Sequence, residues 1–243
     1  MATHRLFIED AYLRRFDAEV VDASPEGVVL DATAFYPGGG GQPSDRGWLT
    51  LPDGTRLEVG GASKDGDRVR HALSGGGVAA GMKVSGEIDW DRRYALMRTH
   101  TAMHILCGVI WKHYGASVTG GNMEPLKGRM DFEFESMRQE FVREIEALIN
   151  GEVDQARPVT TAVLPRAEAF AIPDLIRTKI NLLPPDIAEV RVVEIVGLDL
   201  QADGGTHVRN TSEVGPLRIS DYKSKGAINK RLVVSLEAEV AHV

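Results

Sequence analysis

Two histidines four residues apart, His100 and His104, lie inside the run Met97-Arg98-Thr99-His100-Thr101-Ala102-Met103-His104-Ile105-Leu106. On a helix that spacing puts both imidazoles on one face, one turn apart, where both rings reach a single divalent metal. The motif is short, and two histidines that merely pack or cap a helix would give the same pattern. Far downstream, Asp203-Gly204-Gly205-Thr206-His207 brings a third histidine in a glycine-containing turn, with a carboxylate four residues before it. Three imidazoles and a carboxylate form a tetrahedral set suited to Zn2+. A rigid helix would give two ligands and a turn the other two, with Gly204 and Gly205 supplying the freedom of the turn. A thermolysin-type protease does not fit, because its general-base glutamate would stand at position 101, which holds Thr101. Cys107 shares the face of the two histidines. Seven helical residues span about 10.5 Å, too far for Cys107 and His100 to meet at one small metal. Cys107 therefore reads as a buried thiol or a pocket-lining group, and His113, on another face, as a surface residue.

The elements that must carry these residues differ between the two halves of the chain. Residues 91–114 read as one buried helix. Before them, many short apolar or β-branched runs are separated by turn signals such as Ser24-Pro25-Glu26, Pro52-Asp53-Gly54 and Ser74-Gly75-Gly76-Gly77. Runs at 5–8, 18–21, 27–30, 47–50, 56–59, 68–71 and 84–88 predict a small β-barrel over residues 1–90. Inside it, Thr33-Ala34-Phe35-Tyr36-Pro37-Gly38-Gly39-Gly40-Gly41-Gln42-Pro43-Ser44-Asp45 cannot be helix. It is either a barrel corner or a loop that lets backbone approach a ligand closely. No Lys-Ser/Thr pair follows, so it is not a phosphate loop of the Walker type. After the His helix, residues 136–150 predict a second helix with Phe141, Ile145 and Leu148 as its apolar stripe and Gly151 as its stop. A strand follows at 159–164, a short helix at 166–171 and a strong strand at 190–196, with a closing hairpin from 218–219 and 231–236. Strands and helices segregate, so residues 91–243 predict an α+β domain with an antiparallel sheet packed on helices.

Composition narrows the class. The chain has 243 residues, enough for one large domain or two modest ones, and 43% of them are apolar, enough for a core. No stretch approaches the length of a membrane span. Acids stand in the N-terminal segment where a signal peptide needs an apolar core. The single cysteine excludes an internal disulfide and fits a reducing compartment, so the expected location is cytoplasmic. A net charge of −7 argues against non-specific coating of nucleic acid. Between Val208 and Arg231, however, the basic residues Arg209, Arg218, Lys223, Lys225, Lys230 and Arg231 outnumber Glu213 and Asp221. That stretch reads either as a solvated hairpin or as a phosphate contact with salt-dependent affinity.

The order of motifs is more specific than any one of them. His100-Thr-Ala-Met-His104 followed by Gly204-Gly-Thr-His207-Val-Arg-Asn-Thr211 resembles the editing domain of alanyl-tRNA synthetases. Phe35-Tyr-Pro-Gly-Gly-Gly-Gly-Gln42-Pro-Ser-Asp45 resembles the glycine-rich motif of its free-standing relatives, the AlaX proteins. Asp10-Ala-Tyr-Leu-Arg-Arg-Phe16, Arg129-Met-Asp-Phe132 and Lys223-Ser-Lys-Gly226 extend the match over nearly the whole chain. The resemblance implies a medium-length AlaX protein that hydrolyses mischarged tRNA(Ala), with an N-terminal β-barrel joined to an α+β editing domain. The chain is too short for the synthetase itself, and ATP is not expected. One departure matters: the family's usual motif is Cys-x-x-x-His, and the Cys position here holds Asp203. Asp203 keeps the negative charge of a thiolate but offers a harder donor. It either completes the zinc set with His100, His104 and His207, or stands beside a three-histidine site as a catalytic acid or base.

For the implied reaction the metal would polarise the ester carbonyl linking amino acid to ribose, or orient the attacking water. An ester is already activated, so positioning contributes much of the rate. Discrimination against alanine is achieved most efficiently by a hydrogen bond to the serine hydroxyl, which alanine would leave unsatisfied. Thr33, at the glycine-rich motif, is the candidate for that contact and so for a catalytic role. Gln42, Cys107, Thr119 and Asn122 are candidates to line the pocket, and Lys223 and Lys225 to bind tRNA. The expected partner is tRNA(Ala) charged with serine or glycine, with no membrane. A second reading is a non-catalytic tRNA-binding module with a structural zinc, in which four protein ligands close the coordination sphere.

Overall fold

The computed structural model describes residues 1–133, 139–178, 183, 187–224 and 228–238. The chain divides into two compact units, Met1–Ala95 and Leu96–Val243.

The first unit contains β1 (His4–Arg5), α1 (Leu6–Glu9), β2 (Arg15–Ser24), β3 (Gly27–Leu30), β4 (Ala32–Thr33), β5 (Gly47–Thr50), β6 (Arg56–Asp65), β7 (Arg68–Ser74) and β8 (Lys83–Ile88). Six of these close a barrel in the order β2-β3-β7-β6-β5-β8. Every pairing in it is antiparallel, and alternation along each strand turns Phe16, Ala18, Val20, Leu49, Leu57, Val59, Val69, Val84 and Ile88 inward. Phe35 enters this interior from the glycine-rich segment and meets Phe16 edge-on at 5.8 Å and His71 at 5.4 Å. The sequence predicts a strand at 5–8. The structure has only the two-residue β1, paired with β4, followed by the α1 turn that buries Phe7 against Tyr36. A run of three apolar residues with no alternation does not distinguish the two conformations.

The glycine-rich loop is irregular because its backbone demands it: Gly38, Gly39, Gly40 and Gly41 have φ of 82°, 133°, 58° and 86°, which residues with a Cβ rarely adopt. A buried ion pair closes it. Asp45 exchanges backbone and side-chain bonds with Tyr36, its N–H reaching Tyr36 O at 3.0 Å and its Oδ2 accepting from Tyr36 N at 2.6 Å. The wholly buried Arg93 donates to the Asp45 carboxylate and to the Ala34 and Ala11 carbonyls.

The second unit begins within α2 (Trp90–Tyr114), which is buried without interruption from Leu96 to Ile110. It continues with β9 (Val118–Glu124), β10 (Lys127–Glu133), α3 (Gln139–Asp154), β11 (Val159–Pro165), α4 (Arg166–Ala171), β12 (Glu189–Ile195), β13 (Asp199–Ala202), a 3-10 turn (Thr211–Val214), β14 (Leu217–Ser224) and β15 (Asn229–Leu236). Two antiparallel sheets result, β14-β15-β10-β9 and β11-β12-β13. The α+β class is as expected. Three features differ. Residues 119–122, which the sequence assigns to no element, belong to strand β9. Helix α3 runs through Gly151 to Asp154, because Glu152 and Val153 are buried beyond it and Glu152 binds Arg157 at 2.5 Å. Its buried face is Val142, Ile145, Ile149 and Val153, so Ile145 belongs to it while Phe141 and Leu148 flank it. The expected start at Ser136 lies outside the described residues.

Two outcomes follow. Asp45→Ala leaves Arg93 buried without a counter-charge and should cost about 3–5 kcal/mol, read by denaturant unfolding; an unchanged midpoint would show the pair to be dispensable. His71 is buried, and that burial pushes its pKa down to about 4, a backbone bond to Val28 offsetting only part of the effect. The unfolded chain binds the proton near pH 6.5 and the folded one only near 4. The stabilisation is therefore full above the higher value and is lost as pH falls between them, by about 3 kcal/mol. His71→Gln should flatten the stability–pH curve over that interval.

Candidate metal centre

His100 and His104 come from the buried part of α2, while Asp203 and His207 come from the turn after β13. Their ligand atoms all lie within 4.8 Å of one another. His100 Nε2 lies 3.5 Å from Asp203 Oδ1, and His207 Nε2 lies 3.0 Å from Asp203 Oδ2. The rings of His100 and His207 stack at 4.2 Å, and His104 stands edge-on to both at 5.1 and 4.7 Å.

The turn is shaped from several sides. Asp203 Oδ2 accepts from Gly205 N at 2.7 Å, an Asx-type turn that the side chain makes with its own backbone. Arg191 on β12 donates through Nη1 to the carbonyls of Asp203 and Gly205 at 3.0 and 2.9 Å. After His207, Asn210 forms a capping box with Glu213 and donates to Ala156 O at 2.7 Å. Thr101, between the two helix histidines, accepts from Val208 N at 3.3 Å and lies 3.2 Å from His207 Nδ1. With Nδ1 taken by Thr101, His207 presents Nε2 to Asp203 and the cluster.

At His100, His207 and Asp203, electrostatics favour the protonation states that a metal needs; at His104 they do not. Burial, reinforced by the neighbouring His104 and Arg191, pushes His100 down to about 4 against the pull of Asp203. Burial and the other two histidines hold His207 well below its ordinary value. Burial opposes the charge on Asp203, yet His100 and the hydrogen bond from His207 outweigh it and keep the carboxyl well below the usual range. For His104, burial is outweighed by the bond to and charge of Asp199, so its pKa is raised. Two neutral imidazoles, a third held by a carboxylate and an ionised aspartate are a donor set that can hold a divalent metal.

The remaining candidates are distributed more widely. Cys107 is buried outside the four-residue cluster, its thiol pushed well up by burial and by Asp199. Thr33 is wholly buried on β4. His71 Nδ1 faces the Val28 carbonyl at 3.1 Å and so carries the ring proton, and the Thr33 hydroxyl therefore donates to His71 Nε2 at 2.8 Å. Thr33 also accepts from Phe35 N at 3.1 Å. Gln42 is buried in the glycine-rich loop and bridges Gly39 through its backbone. Thr119 and Asn122 are exposed on β9, donating to Asn229 at 3.2 Å and accepting from Arg129 at 2.8 Å respectively. In the basic stretch, Arg218 pairs with Glu146, Lys223 with Asp221 and Arg231 with Asp131, and Lys230 is buried. Lys225 lies outside the described residues. Sequence reasoning misses Asp199, which bonds His104, and Arg191. Neither stands in a pattern with the histidines; the only hint is that Asp199 precedes Asp203 by four residues.

Residues 190–233, from β12 to β15, match the family model "Threonyl and Alanyl tRNA synthetase second additional domain", and residues 7–92 match "tRNA synthetases class II (A)". The chain is 36% identical over 239 residues to the alanyl-tRNA editing protein AlaX-M of Saccharolobus solfataricus, covering 97% of this chain and 99% of that one. It is 38% identical over 242 residues to AlaX-M of Methanosarcina acetivorans, covering 96% and 99%. It also aligns at 41% identity with the alanine–tRNA ligase of Ignicoccus hospitalis, over 89% of this chain but 24% of the ligase. Alignment with AlaX-M from end to end, with the histidine cluster assembled where both parts of the motif converge, places the chain in the family of AlaX-M alanyl-tRNA editing proteins.

Proposed function

We propose that this protein is a zinc-dependent aminoacyl-tRNA deacylase that hydrolyses tRNA(Ala) mischarged with serine or glycine. The observation that carries the reading is the convergence of His100, His104, Asp203 and His207 in a chain that aligns throughout with alanyl-tRNA editing proteins. Zinc suits three imidazole nitrogens and one carboxylate oxygen.

When bound, zinc supplies a Lewis acid for the ester carbonyl or the attacking water. The chain's own residues fix where that chemistry happens. Burial favours neutral rings at His100 and His207, and a neutral ring can offer a nitrogen lone pair, that of His207 once its proton lies on Nδ1 toward Thr101 rather than on Nε2 toward Asp203. Asp203 contributes the one negative charge among the four, and Thr101 holds the ring of His207. Burial of all three histidines keeps the electrostatic field of the site from being screened by water.

Release of serine and glycine from a panel of charged tRNA(Ala) species, with alanine released much more slowly, is the expected result. No release from any of them by metal-loaded protein would favour the non-catalytic module with a structural zinc. His100→Ala, His104→Ala and His207→Ala should each lower bound zinc and deacylation together; full activity in a variant stripped of metal would sink the metal-dependent mechanism.

Asp203 separates two versions of the site. As a ligand, its replacement by Ala should lower zinc affinity and rate, whereas Asp203→Cys should retain metal because thiolate is a good zinc ligand. As an acid or base beside three histidines, Asp203→Asn should keep the metal while slowing the reaction and altering its pH profile. We favour ligation, since residue 203 holds the four-residue spacing to His207 of the family's ligand. Normal zinc content in Asp203→Ala would settle the matter the other way.

A further inference from the structure

We infer that Asp199 is a positioning residue for this metal centre: it holds His104 with the ring proton on Nδ1, so that Nε2 is the donor presented to the metal. The inference rests on the metal reading above and assigns a role to a residue outside the ligand set.

Asp199 Oδ2 lies 3.0 Å from His104 Nδ1 and accepts from Gln201 Nε2 at 2.7 Å. An ionised carboxylate has only lone pairs to offer, so the imidazole must be the donor. A histidine bound to metal through one nitrogen commonly gives its other N–H to a carboxylate, which fixes the tautomer and strengthens the donor. Asp199 could instead be read as a plain counter-ion for Arg177. The geometry divides the two roles between its oxygens. Arg177 Nε approaches Oδ1 at 3.5 Å, and among the described residues Oδ1 has no hydrogen-bond partner, whereas Oδ2 makes both directional bonds. Arg177, stacked over Trp111 at 4.6 Å, thus supplies charge, and His104 receives the orientation.

Gly108, one turn beyond His104 on α2, shows what this arrangement requires of the helix. A Cβ there would lie 2.9 Å from Leu198 Cγ, 3.0 Å from Asp199 Cβ and 3.1 Å from Leu198 O. Glycine is a poor helix former, and its place in a buried helix is explained by this close approach. Any side chain at position 108 would force the start of β13, and Asp199 with it, away from His104.

The test combines a spectrum of the unaltered protein with metal titrations of variants. In zinc-loaded wild type, a long-range 1H–15N correlation spectrum should show His104 protonated on Nδ1, with Nε2 shifted by the metal. Asp199→Asn should weaken zinc binding roughly 10- to 100-fold in competition with a chelator and shift the visible bands of the cobalt-substituted protein. Removing a lone buried anion can unfold the chain, so Asp199→Asn is also made with Arg177→Gln, which removes both charges; it should show the same loss, while Arg177→Gln alone binds zinc much as the wild type does. Gly108→Ala should weaken zinc binding in the same direction. A proton on His104 Nε2 in the zinc-loaded protein, or a folded Asp199 variant that binds zinc as tightly as wild type with unchanged cobalt bands, would overturn the inference while leaving the metal reading intact. Should neither Asp199 variant fold, the wild-type spectrum decides. A wild-type protein that takes up no metal would overturn the metal reading and this inference together.

Discussion

The second unit depends on one constraint: α2 is buried from Leu96 to Ile110, yet that span carries Arg98, Thr99, His100, Thr101 and His104. Buried polar groups cost heavily unless bonded, so the partners of these side chains are fixed points of the fold. Arg98 donates to the Val214 and Glu237 carbonyls, Thr99 accepts from Leu126 N, Thr101 from Val208 N, and His104 bonds Asp199. Those partners lie before β10, at the start of β13, just after the Asp203–His207 turn, in the 3-10 turn beyond it and just past the end of β15. Satisfying the helix therefore assembles the walls around the His100, His104, Asp203 and His207 cluster. A merely apolar helix could slide or rotate among similar packings, whereas this one is held in register by directional bonds.

The four-residue cluster is legible in the sequence because helical period and a short turn each bring chemistry together locally. His100 and His104 need only a helix, and Asp203 and His207 need only a glycine-containing turn. What the sequence does not show is how the two pairs meet, since that depends on Arg191 gripping the turn and on Thr101 reaching across to Val208. Asp199 escapes notice for a related reason. It acts from the first residue of a strand, and its four-residue spacing to Asp203 corresponds to no common face on a strand followed by a turn. Gly108 reads as a weak point in an apolar helix until Leu198 and Asp199 are seen against it.

The barrel is more fully legible, because short β-branched or alternating runs and Gly/Pro punctuation are local signals that survive strand by strand, even where, as in β3, every position is buried. The short elements β1 and α1 are not, since their conformation is set by pairing with β4 and by Phe7 finding Tyr36. The basic stretch shows the opposite failure. Composition counts its cations correctly, but Arg231 and Arg218 meet Asp131 and Glu146 from elements distant in sequence. The described part of that stretch is a laced hairpin, with much of its charge answered within the protein.

Asp203 in the place of a cysteine is the departure on which the chemistry turns, and the turn itself makes the exchange intelligible. A carboxylate has two oxygens, and here Oδ2 accepts from Gly205 N and faces His207, while Oδ1 faces His100. A thiolate has one sulfur and is a weaker acceptor for such a bond. The aspartate can therefore brace its own turn with one oxygen and still offer the other to a metal. The formal charge offered to a metal would be the same with either residue. What changes is donor hardness: an all-nitrogen-and-oxygen set holds soft ions less firmly than one with a thiolate. Were a metal bound there, Asp203 would keep the charge of a thiolate and its four-residue spacing to His207, while making the donor set less suited to thiophilic ions than one that contains cysteine.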